Sequence, residues 1–201
     1  MITGGLGHIG SKLIHSLEKN NYEKIIIIDN LLTQRFPSLF NLPNNINYQF
    51  IDKSILDINL TKLTNQVDAV VHLAAITDAT ASFNNSEEVE KVNHEGTKLI
   101  ANACIETQTN LLFPSTTSVY GSQSEEVDED CPIEDLKPQS PYAKYKLQSE
   151  NMLKRLGQDK GLKFITCRFG TIFGVSIGMR FHTAVNKFCW QAVMGKPLTV
   201  W

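Results

Sequence analysis

The sequence lacks an excess of charge, a long apolar run and an export signal. Its 19 Lys and Arg residues are balanced by 21 Asp and Glu residues, so the formal net charge is −2, and the basic cluster that nucleic acid or an anionic membrane surface would require is missing. The longest apolar runs, near residues 25–28 and 69–73, are far shorter than the roughly 20 residues of a membrane-spanning helix. The N-terminus has no basic region followed by an apolar stretch and a small-residue cleavage site. We therefore expect a cytoplasmic protein without nucleic-acid or membrane partners.

The sequence also lacks the residue spacing of a metal site or of a disulfide framework. The four cysteines lie far apart and form no Cys-x-x-Cys pair; they are Cys104, Cys131, Cys167 and Cys189. This arrangement fits neither a disulfide framework nor a zinc site. The histidines share no ligand spacing, and the acidic residues at 125–130 lie in a polar, proline-containing segment, residues 122–141, that is typical of a solvated loop. We expect no metal, and reduced cysteines that are mostly buried.

Short β-branched runs alternate with helical patterns along the chain. Strands are predicted at residues 25–29, 48–51, 69–73, 110–114 and 164–168. Helices are predicted at residues 7–19, 87–106, 142–156 and 180–194. The strands are continuously apolar, which indicates that both of their faces are covered. This rhythm predicts an α/β fold with a doubly wound parallel sheet of the Rossmann type.

The pattern is short at both ends. Only Met1 and Ile2 precede the first glycine-rich turn, whereas a strand usually has about five or six residues, so we expect a truncated first strand. Near the other end a turn at residues 195–197 is followed by residues 198–201, which resemble a strand that is just beginning. We expect one domain over residues 1–174 and, over residues 175–201, only the start of a smaller second region.

A glycine-rich segment, TGGLGHIG, lies where the first strand hands over to a helix. Gly4 suits a tight turn, Gly7 lets a pyrophosphate approach the helix N-terminus, and Gly10 lets the helix pack on the sheet. Asp29 ends the next apolar run, where a carboxylate can bind an adenosine ribose and repel a 2′-phosphate. The set predicts a dinucleotide site that prefers NAD to NADP. The alternatives are a plain tight turn and, for Asp29, a strand-end turn residue.

A second constellation is Tyr142 and Lys146, which lie one helical turn apart in SPYAKYK. An adjacent ammonium favours the phenolate and would bring the pKa of the tyrosine into a useful range for proton transfer. Upstream, Thr116 in PSTTSVYG could donate a hydrogen bond to a substrate oxygen. An exposed helix pair without a catalytic role is the alternative interpretation.

Taken in order, these segments resemble those of the extended short-chain dehydrogenase/reductases, in particular the NAD-dependent sugar-nucleotide epimerase/dehydratase group. The matching segments run from residue 2 to residue 201 and are TGGLGHIGS, IIIIDNL, DAVVHLAAIT, VNHEGT, PSTTSVYG, SPYAKYK and CRFGTIFG. The resemblance implies that Tyr142 is the catalytic acid/base, that Lys146 binds the nicotinamide ribose and lowers the pKa of the tyrosine, and that Thr116 orients the reacting group.

The resemblance also implies a wider set of cofactor and substrate contacts. For NAD the implied residues are Gly4, Gly7, His8, Ile9, Gly10, Asp29, Asn30, Ser54, Ile55, Leu73, Ala74, Ala75, Asn93, Tyr142, Lys146 and Phe169. Within this set Asn93 would brace the loop that passes the cofactor, and the His8 side chain would serve helix packing. For the sugar the implied residues are Thr77, Thr116 and Thr171.

Two departures from the family pattern narrow the chemistry. Lys53, Ser54 and Ile55 stand where the family often has a Gly-Asp-Ile sequence that contacts adenine. Thr117 and Ser118 follow Thr116 where the 4,6-dehydratases of the group carry Asp and Glu, and without that acid/base pair water is not readily eliminated.

We therefore expect an NAD-dependent nucleotide-sugar epimerase, which forms a transient ketone, acts on a nucleotide-sugar substrate and forms a homodimer. A reductase or decarboxylase of the same family and a catalytically silent NAD-binding module are the alternatives. On this view residues 1–174 bind NAD and carry the catalytic residues, and residues 175–201 begin the substrate-binding region. We expect the chain as it stands to be an incomplete enzyme.

Overall fold

The protein contains a six-stranded parallel sheet with the strand order β3-β2-β1-β4-β5-β6. The computed structural model describes residues 1–17, 21–44, 46–79, 81–122, 127–181 and 183–198. The strands are β1 (Ile2–Thr3), β2 (Lys24–Asp29), β3 (Asn47–Asp52), β4 (Ala69–His72), β5 (Asn110–Thr116) and β6 (Phe164–Phe169). The order reverses between β1 and β4, and ligands of such sheets bind at the carboxyl ends of the strands beside that reversal. The doubly wound parallel sheet is confirmed.

Helices flank the sheet. They are α1 (His8–His15), α2 (Leu60–Thr64), α3 (Ser86–Val89), α4 (Gly96–Thr107), α5 (Pro141–Lys160) and α6 (Ala184–Val193). A π-helical segment, Glu90–Glu95, joins α3 to α4 without a break. Among the described residues no helix is both long enough and apolar enough to cross a membrane.

The sheet is covered on both sides, as the continuous apolar strands predicted. Along β2, Ile26 and Ile28 pack into one buried cluster, whereas Ile25 and Ile27 pack into another. Successive side chains of a strand point to opposite faces, so β2 contributes isoleucines to both layers. The first strand contains only Ile2 and Thr3, but it pairs with β2 on one side and β4 on the other.

Several predicted boundaries differ from the structure. The helix expected at 87–106 contains the π-helical segment, which widens one turn and has no signature in a 3.6-residue pattern. The helix expected at 180–194 starts only at Ala184, and α5 continues beyond 156 to Lys160, where Gly161 adopts φ +70° and ends it. The five-residue helix α2 was not predicted because it is too short to show periodicity. Of the expected strand at 198–201, residues 199–201 lie outside the described residues.

The expectation that the cysteines are mostly buried is wrong. All four are free, but Cys104 alone is buried, Cys131 and Cys167 are half-buried, and Cys189 is exposed. Cys189 lies on α6, several of whose large apolar side chains also face solvent. In the acidic segment, residues 128–130 are exposed, and residues 125 and 126 lie outside the described part of the chain.

Candidate active site

A cavity of about 400 Å³ opens at the carboxyl edge of the sheet, beside the reversal of strand order. Every site residue predicted from the sequence lines it except Asn93, which is buried behind it. The structure therefore brings together residues from seven separate segments. They are Gly4, Gly7, His8, Ile9, Gly10, Asp29, Asn30, Ser54, Ile55, Leu73, Ala74, Ala75, Thr77, Thr116, Tyr142, Lys146, Phe169 and Thr171.

The glycine turn is built so closely that side chains are excluded. Gly4 has φ +64°, and a Cβ there would lie 2.6 Å from the Ala74 amide nitrogen. A Cβ at Gly10 would lie 2.6 Å from the Gly5 carbonyl oxygen. At Gly7 the nearest atom to an added Cβ is the Gly4 carbonyl oxygen at 3.3 Å, so a side chain would extend toward the cavity that Gly7 lines.

This turn fits a dinucleotide pyrophosphate. Gly7 is the N-cap of α1, and no side chain of the described residues caps that helix. The first-turn N–H groups and the helix dipole favour an anion at this position. The missing Cβ at Gly7 is the space that such a group would occupy.

Asp29 is held at the neighbouring strand end by two backbone amides. Its Oδ2 accepts a hydrogen bond from the Leu6 N–H (3.1 Å) and its Oδ1 from the Leu31 N–H (3.0 Å). Arg35 lies near enough to interact electrostatically with this carboxylate. Ser54 is engaged locally, because its Oγ accepts from the Leu56 N–H at 3.2 Å.

The loop after β4 is fixed by a hydrogen-bonded network. Asn93 holds Ile76 at both backbone groups, accepting from its N–H and donating to its carbonyl oxygen, each at 2.8 Å. The asparagine thus braces the loop without lining the cavity. Its position in the π-helical segment is what aims it at Ile76.

His72, at the end of β4, is buried within the same network. Thr97 Oγ1 donates to the Asn93 carbonyl oxygen (2.6 Å), so it accepts from His72 Nε2–H (3.1 Å). The other ring nitrogen, Nδ1, then accepts from Thr3 Oγ1 at 2.7 Å. Burial first, and then the charge of Lys146, lowers the pKa of His72 to about 3, so the imidazole is neutral.

Helix α5 presents Tyr142 and Lys146 on one face. Ser140 caps the helix by accepting from the Ala143 N–H at 3.2 Å, and Pro141 occupies its first turn. Burial raises the pKa of Tyr142 above its usual value of 10, while Arg180 and a hydrogen bond from Thr116 act in the opposite direction. The sequence analysis expected a lowered pKa for this tyrosine, and that expectation is wrong because desolvation outweighs the effects of Arg180 and Thr116.

The Lys146 ammonium is bound by β5. Its Nζ donates to the Pro114 carbonyl oxygen at 2.7 Å and lies 4.4 Å from the centroid of the Phe113 ring. Burial lowers the pKa of Lys146 to about 8, and Glu150 partly opposes this effect.

Arg180 is a site residue that the sequence analysis missed. It lines the cavity, donates to Thr77 Oγ1 and faces Tyr142. Asn186 of α6 fixes this segment, because its Nδ2 donates to the Arg180 carbonyl oxygen at 2.8 Å. The residue was assigned to an amphipathic helix that in fact begins after it, and a single arginine without a motif gave no other signal.

The loop that carries Arg180 is anchored to α1. His8 Nε2 donates to the Gly174 carbonyl oxygen (2.9 Å), and Ser11 Oγ accepts from the Gly178 N–H (2.9 Å). His8 therefore ties two segments together, in keeping with the packing role expected of its side chain.

Known proteins share this architecture. A Bacillus subtilis protein described as an uncharacterized UDP-glucose epimerase, YtcB, is 30% identical over 100% of this chain and 64% of its own length. The human dTDP-D-glucose 4,6-dehydratase is 32% identical over 87% of this chain and 51% of its own length. The crystal structure of UDP-glucuronic acid 4-epimerase from Bacillus cereus, in complex with UDP-glucuronic acid and NAD, superposes with a TM-score of 0.88 at 29% identity, covering 100% of this chain and 64% of that one.

The chain thus spans about two thirds or less of the length of these relatives. Other solved neighbours are also crystallised with NAD. The sequence model of the NAD dependent epimerase/dehydratase family matches residues 1–201. Its members are NAD-dependent, and the relatives are nucleotide-sugar enzymes of the extended short-chain dehydrogenase/reductase type. The chain belongs to the NAD-dependent epimerase/dehydratase family.

Proposed function

We propose that the protein is an NAD-dependent nucleotide-sugar epimerase, which oxidises a sugar hydroxyl to a ketone and reduces it again from the opposite face. The observation that carries the proposal is the convergence of Thr116, Tyr142 and Lys146 on the cavity that also contains the glycine turn. An acid/base phenol, a hydroxyl donor and a cation beside a dinucleotide cradle are the groups that reversible hydride transfer at an alcohol requires.

The side chains divide the work as follows. The Tyr142 phenolate takes the hydroxyl proton while Thr116 donates a hydrogen bond to the same oxygen. NAD, when bound, accepts the hydride from the sugar carbon and returns it. In the second half of the reaction Tyr142 gives its proton back to the ketone oxygen. Arg180 stabilises the phenolate before the first step and after the second, because it lowers the pKa of Tyr142 against the effect of burial.

The cofactor would be held mainly by backbone and by Asp29. The first turn of α1, opposite Gly7, suits the pyrophosphate, and the carboxylate of Asp29 suits the two ribose hydroxyls of an adenosine. Lys146 suits the nicotinamide ribose. We expect NAD to bind more tightly than NADP, because a 2′-phosphate would face the Asp29 carboxylate.

Within the family, the residues after Thr116 favour epimerisation over dehydration. Thr117 and Ser118 line the cavity there, and aliphatic hydroxyl groups are poor general acids and bases for eliminating water at neutral pH. A reductase or decarboxylase would use the same tyrosine and lysine, so product analysis separates these activities. A silent NAD-binding module would show no product at all.

The test is turnover with UDP-glucose, UDP-glucuronic acid and UDP-N-acetylglucosamine in the presence of NAD, followed by nuclear magnetic resonance of the sugar products. A C4 epimer without net reduction of NAD supports the proposal. A decarboxylated or reduced product would contradict it, and so would the absence of any product with all three substrates from a version of the chain extended at both ends.

Tyr142→Phe is the matched variant for this test. Because the phenol serves proton transfer more than binding, we expect turnover to fall by roughly 10²–10⁴-fold while the Kd for NAD stays nearly constant. Unchanged turnover would assign the acid/base role to another group.

Three further parts of the proposal concern the whole protein. We propose a cytoplasmic location, supported by the free cysteines, and a homodimeric assembly, which rests on the family resemblance. We also propose that residues 175–201 belong to the substrate-binding side, supported by the position of Arg180 in the cavity.

A further inference from the structure

A partly buried charged cluster adjoins the candidate active site through Ser115, which lines the cavity, and is not used by the proposed reaction. Arg168 on β6 binds the Glu150 carboxylate through both Nε and Nη2, the shortest distance being 2.7 Å. The two side chains are only 18% and 10% exposed. Ser115 on β5 donates to the same carboxylate, and Tyr120 Oη accepts from Arg168 Nη1 at 3.1 Å.

The cluster continues a series of contacts between β5 and α5. Three consecutive positions of β5 each meet a side chain of α5: the Pro114 carbonyl oxygen accepts from Lys146, Ser115 donates to Glu150, and Thr116 bonds Tyr142. The three α5 residues are spaced by four, so they lie on one face of the helix. A shift of α5 along β5 would break all three contacts together.

Glu150 is the member of this series that joins three elements. It belongs to α5, it is bound by Ser115 of β5, and its ion pair reaches Arg168 of β6. It also lies one helical turn from Lys146, where Cβ atoms are about 5–6 Å apart. A buried ammonium is costly unless negative charge stands near it, and Glu150 supplies that charge.

We propose that Glu150 is a positioning residue: clasped by Ser115 and Arg168, its carboxylate sets the register of α5 on β5 and keeps the buried side chain of Lys146 in its ammonium form. The importance of that ammonium for catalysis rests on the proposed function. The contacts of Glu150 with Ser115 and Arg168, and its charge effect on Lys146, do not rest on the proposed function, because they follow from contacts within the chain.

The charged groups around Lys146 determine the pKa that a titration of this lysine would measure. Glu150 acts on it from α5, and His72 is coupled to it from β4. Tyr142 lies one helical turn before it on the same face of α5. Arg168 on β6 stands behind Glu150 and reduces the negative charge that reaches Lys146. Arg180 acts electrostatically on Tyr142.

Proton linkage makes the charge effect measurable without a substrate. The pKa of Lys146 is about 8 in the folded protein and 10.5 in an ordinary lysine. Between these values the unfolded chain binds the proton that the folded chain has lost, so the free energy of unfolding rises with pH across this window. Without Glu150 the folded pKa falls further, and the rise begins at lower pH.

The experiment measures the free energy of unfolding against pH for the protein and its Glu150→Gln and Arg168→Gln variants. Glutamine at 150 keeps an oxygen for Ser115 but removes the charge, so we expect the rise to begin roughly one pH unit lower. Arg168→Gln breaks the ion pair but leaves the carboxylate facing Lys146, so its rise should begin at the original pH or above. Lys146→Met supplies the baseline on which this rise is absent.

The outcomes separate the structural role of the Glu150–Arg168 ion pair from the charge effect of Glu150 on Lys146. Loss of stability in both variants with no change in the onset would leave only a structural ion pair and overturn the proposal for Lys146. If Glu150→Gln alone fails to fold, the double variant with Arg168→Gln leaves no unpaired buried charge and carries the same measurement. If UDP-sugar turnover is absent but the onset shifts as expected, the proposed function fails and the role of Glu150 stands. In an active enzyme, Glu150→Gln should also move the alkaline limb of kcat/KM to lower pH.

Discussion

The two sides of the cavity are built in different ways. On the glycine side, formed by Gly4, Gly7, Gly10 and Asp29, backbone groups define much of the surface, and Cβ atoms added at Gly4 or Gly10 would meet backbone atoms at 2.6 Å. On the tyrosine side, formed by Thr116, Tyr142, Lys146 and Arg180, the surface consists of side chains from three separate segments.

The difference determines what each side tolerates. Backbone walls are rigid because their atoms cannot rotate away, so the glycine side responds to added volume. The tyrosine side responds to charge, because its side chains are buried or half-buried and neighbouring groups alter the pKa values of Tyr142 and Lys146. Added volume on the glycine side should therefore weaken cofactor binding. A changed charge on the tyrosine side should instead shift the pH dependence of activity.

The largest effect is expected at Gly10. A Cβ there meets two backbone carbonyl oxygens within 2.7 Å, so Gly10→Ala must displace the turn, and we expect a destabilisation of about 1–3 kcal/mol together with a loss of NAD affinity of roughly 100-fold. Gly7→Ala is the matched control, since its Cβ extends toward the cavity. It should weaken NAD binding while changing the free energy of unfolding little. Equal destabilisation by both variants would show that the turn is not the rigid wall described here.

The second effect concerns charge at Arg180. Removal of its positive charge raises the pKa of Tyr142, so in Arg180→Met the acidic limb of kcat/KM moves to higher pH, and activity near neutrality falls roughly tenfold for each unit of that shift. Arg180→Lys retains the charge and should keep the limb near its original position. Identical pH profiles for both variants would remove Arg180 from the control of the phenol.

The third effect tests the charge on the glycine side. Asp29→Asn removes the repulsion toward a 2′-phosphate, so we expect the preference for NAD over NADP, measured as a ratio of Kd values, to fall by roughly tenfold, or about 1.4 kcal/mol. Asp52 pairs with Asp29 across β2 and β3 but is exposed and does not line the cavity. Asp52→Asn should therefore leave the ratio unchanged, and a preference for NADP in the unaltered protein would refute the assignment.

The last effect, one proton per molecule, is expected at His72, which lines the cavity between the two sides, and it becomes visible only at acidic pH. Its pKa is about 3 in the folded protein and 6.5 in an ordinary histidine. Between pH 6.5 and about 3, His72 is protonated in the unfolded chain but neutral in the folded chain. The free energy of unfolding therefore decreases as the pH falls through this window. His72→Asn should make that decrease shallower in equilibrium unfolding. An unchanged slope would mean that the imidazole is protonated in the fold.

The glycine side was more accessible to sequence reasoning than the tyrosine side, for a physical reason. A backbone that approaches a ligand closely demands glycine, and the spacing of Gly4, Gly7 and Gly10 carries that demand in adjacent residues. The position of Asp29 at a strand end could be predicted because the apolar run before it marks the strand. The sheet itself followed from the same apolar runs.

The features that the sequence analysis missed depend on contacts between residues that are far apart in the sequence. Arg180 meets Thr77 across 103 positions, and no local pattern signals such an encounter. The raised pKa of Tyr142 depends on burial, which spacing alone does not reveal. The position of Lys146 Nζ on the Pro114 carbonyl oxygen likewise needs three-dimensional packing of α5 on β5.

The π-helical segment Glu90–Glu95 has a consequence for how this region can vary. A π turn is equivalent to one extra residue within an α-helix, so α3 and α4 have helical faces offset by about 100° from a common 3.6-residue register. Deletion of one residue in the segment would restore a regular helix but rotate one part against the other. Asn93 would then no longer hold Ile76, or Gly96 would leave its place against Ile55. Insertions and deletions should therefore be poorly tolerated here, whereas point changes on the exposed side of the same helix leave the loop after β4 in place.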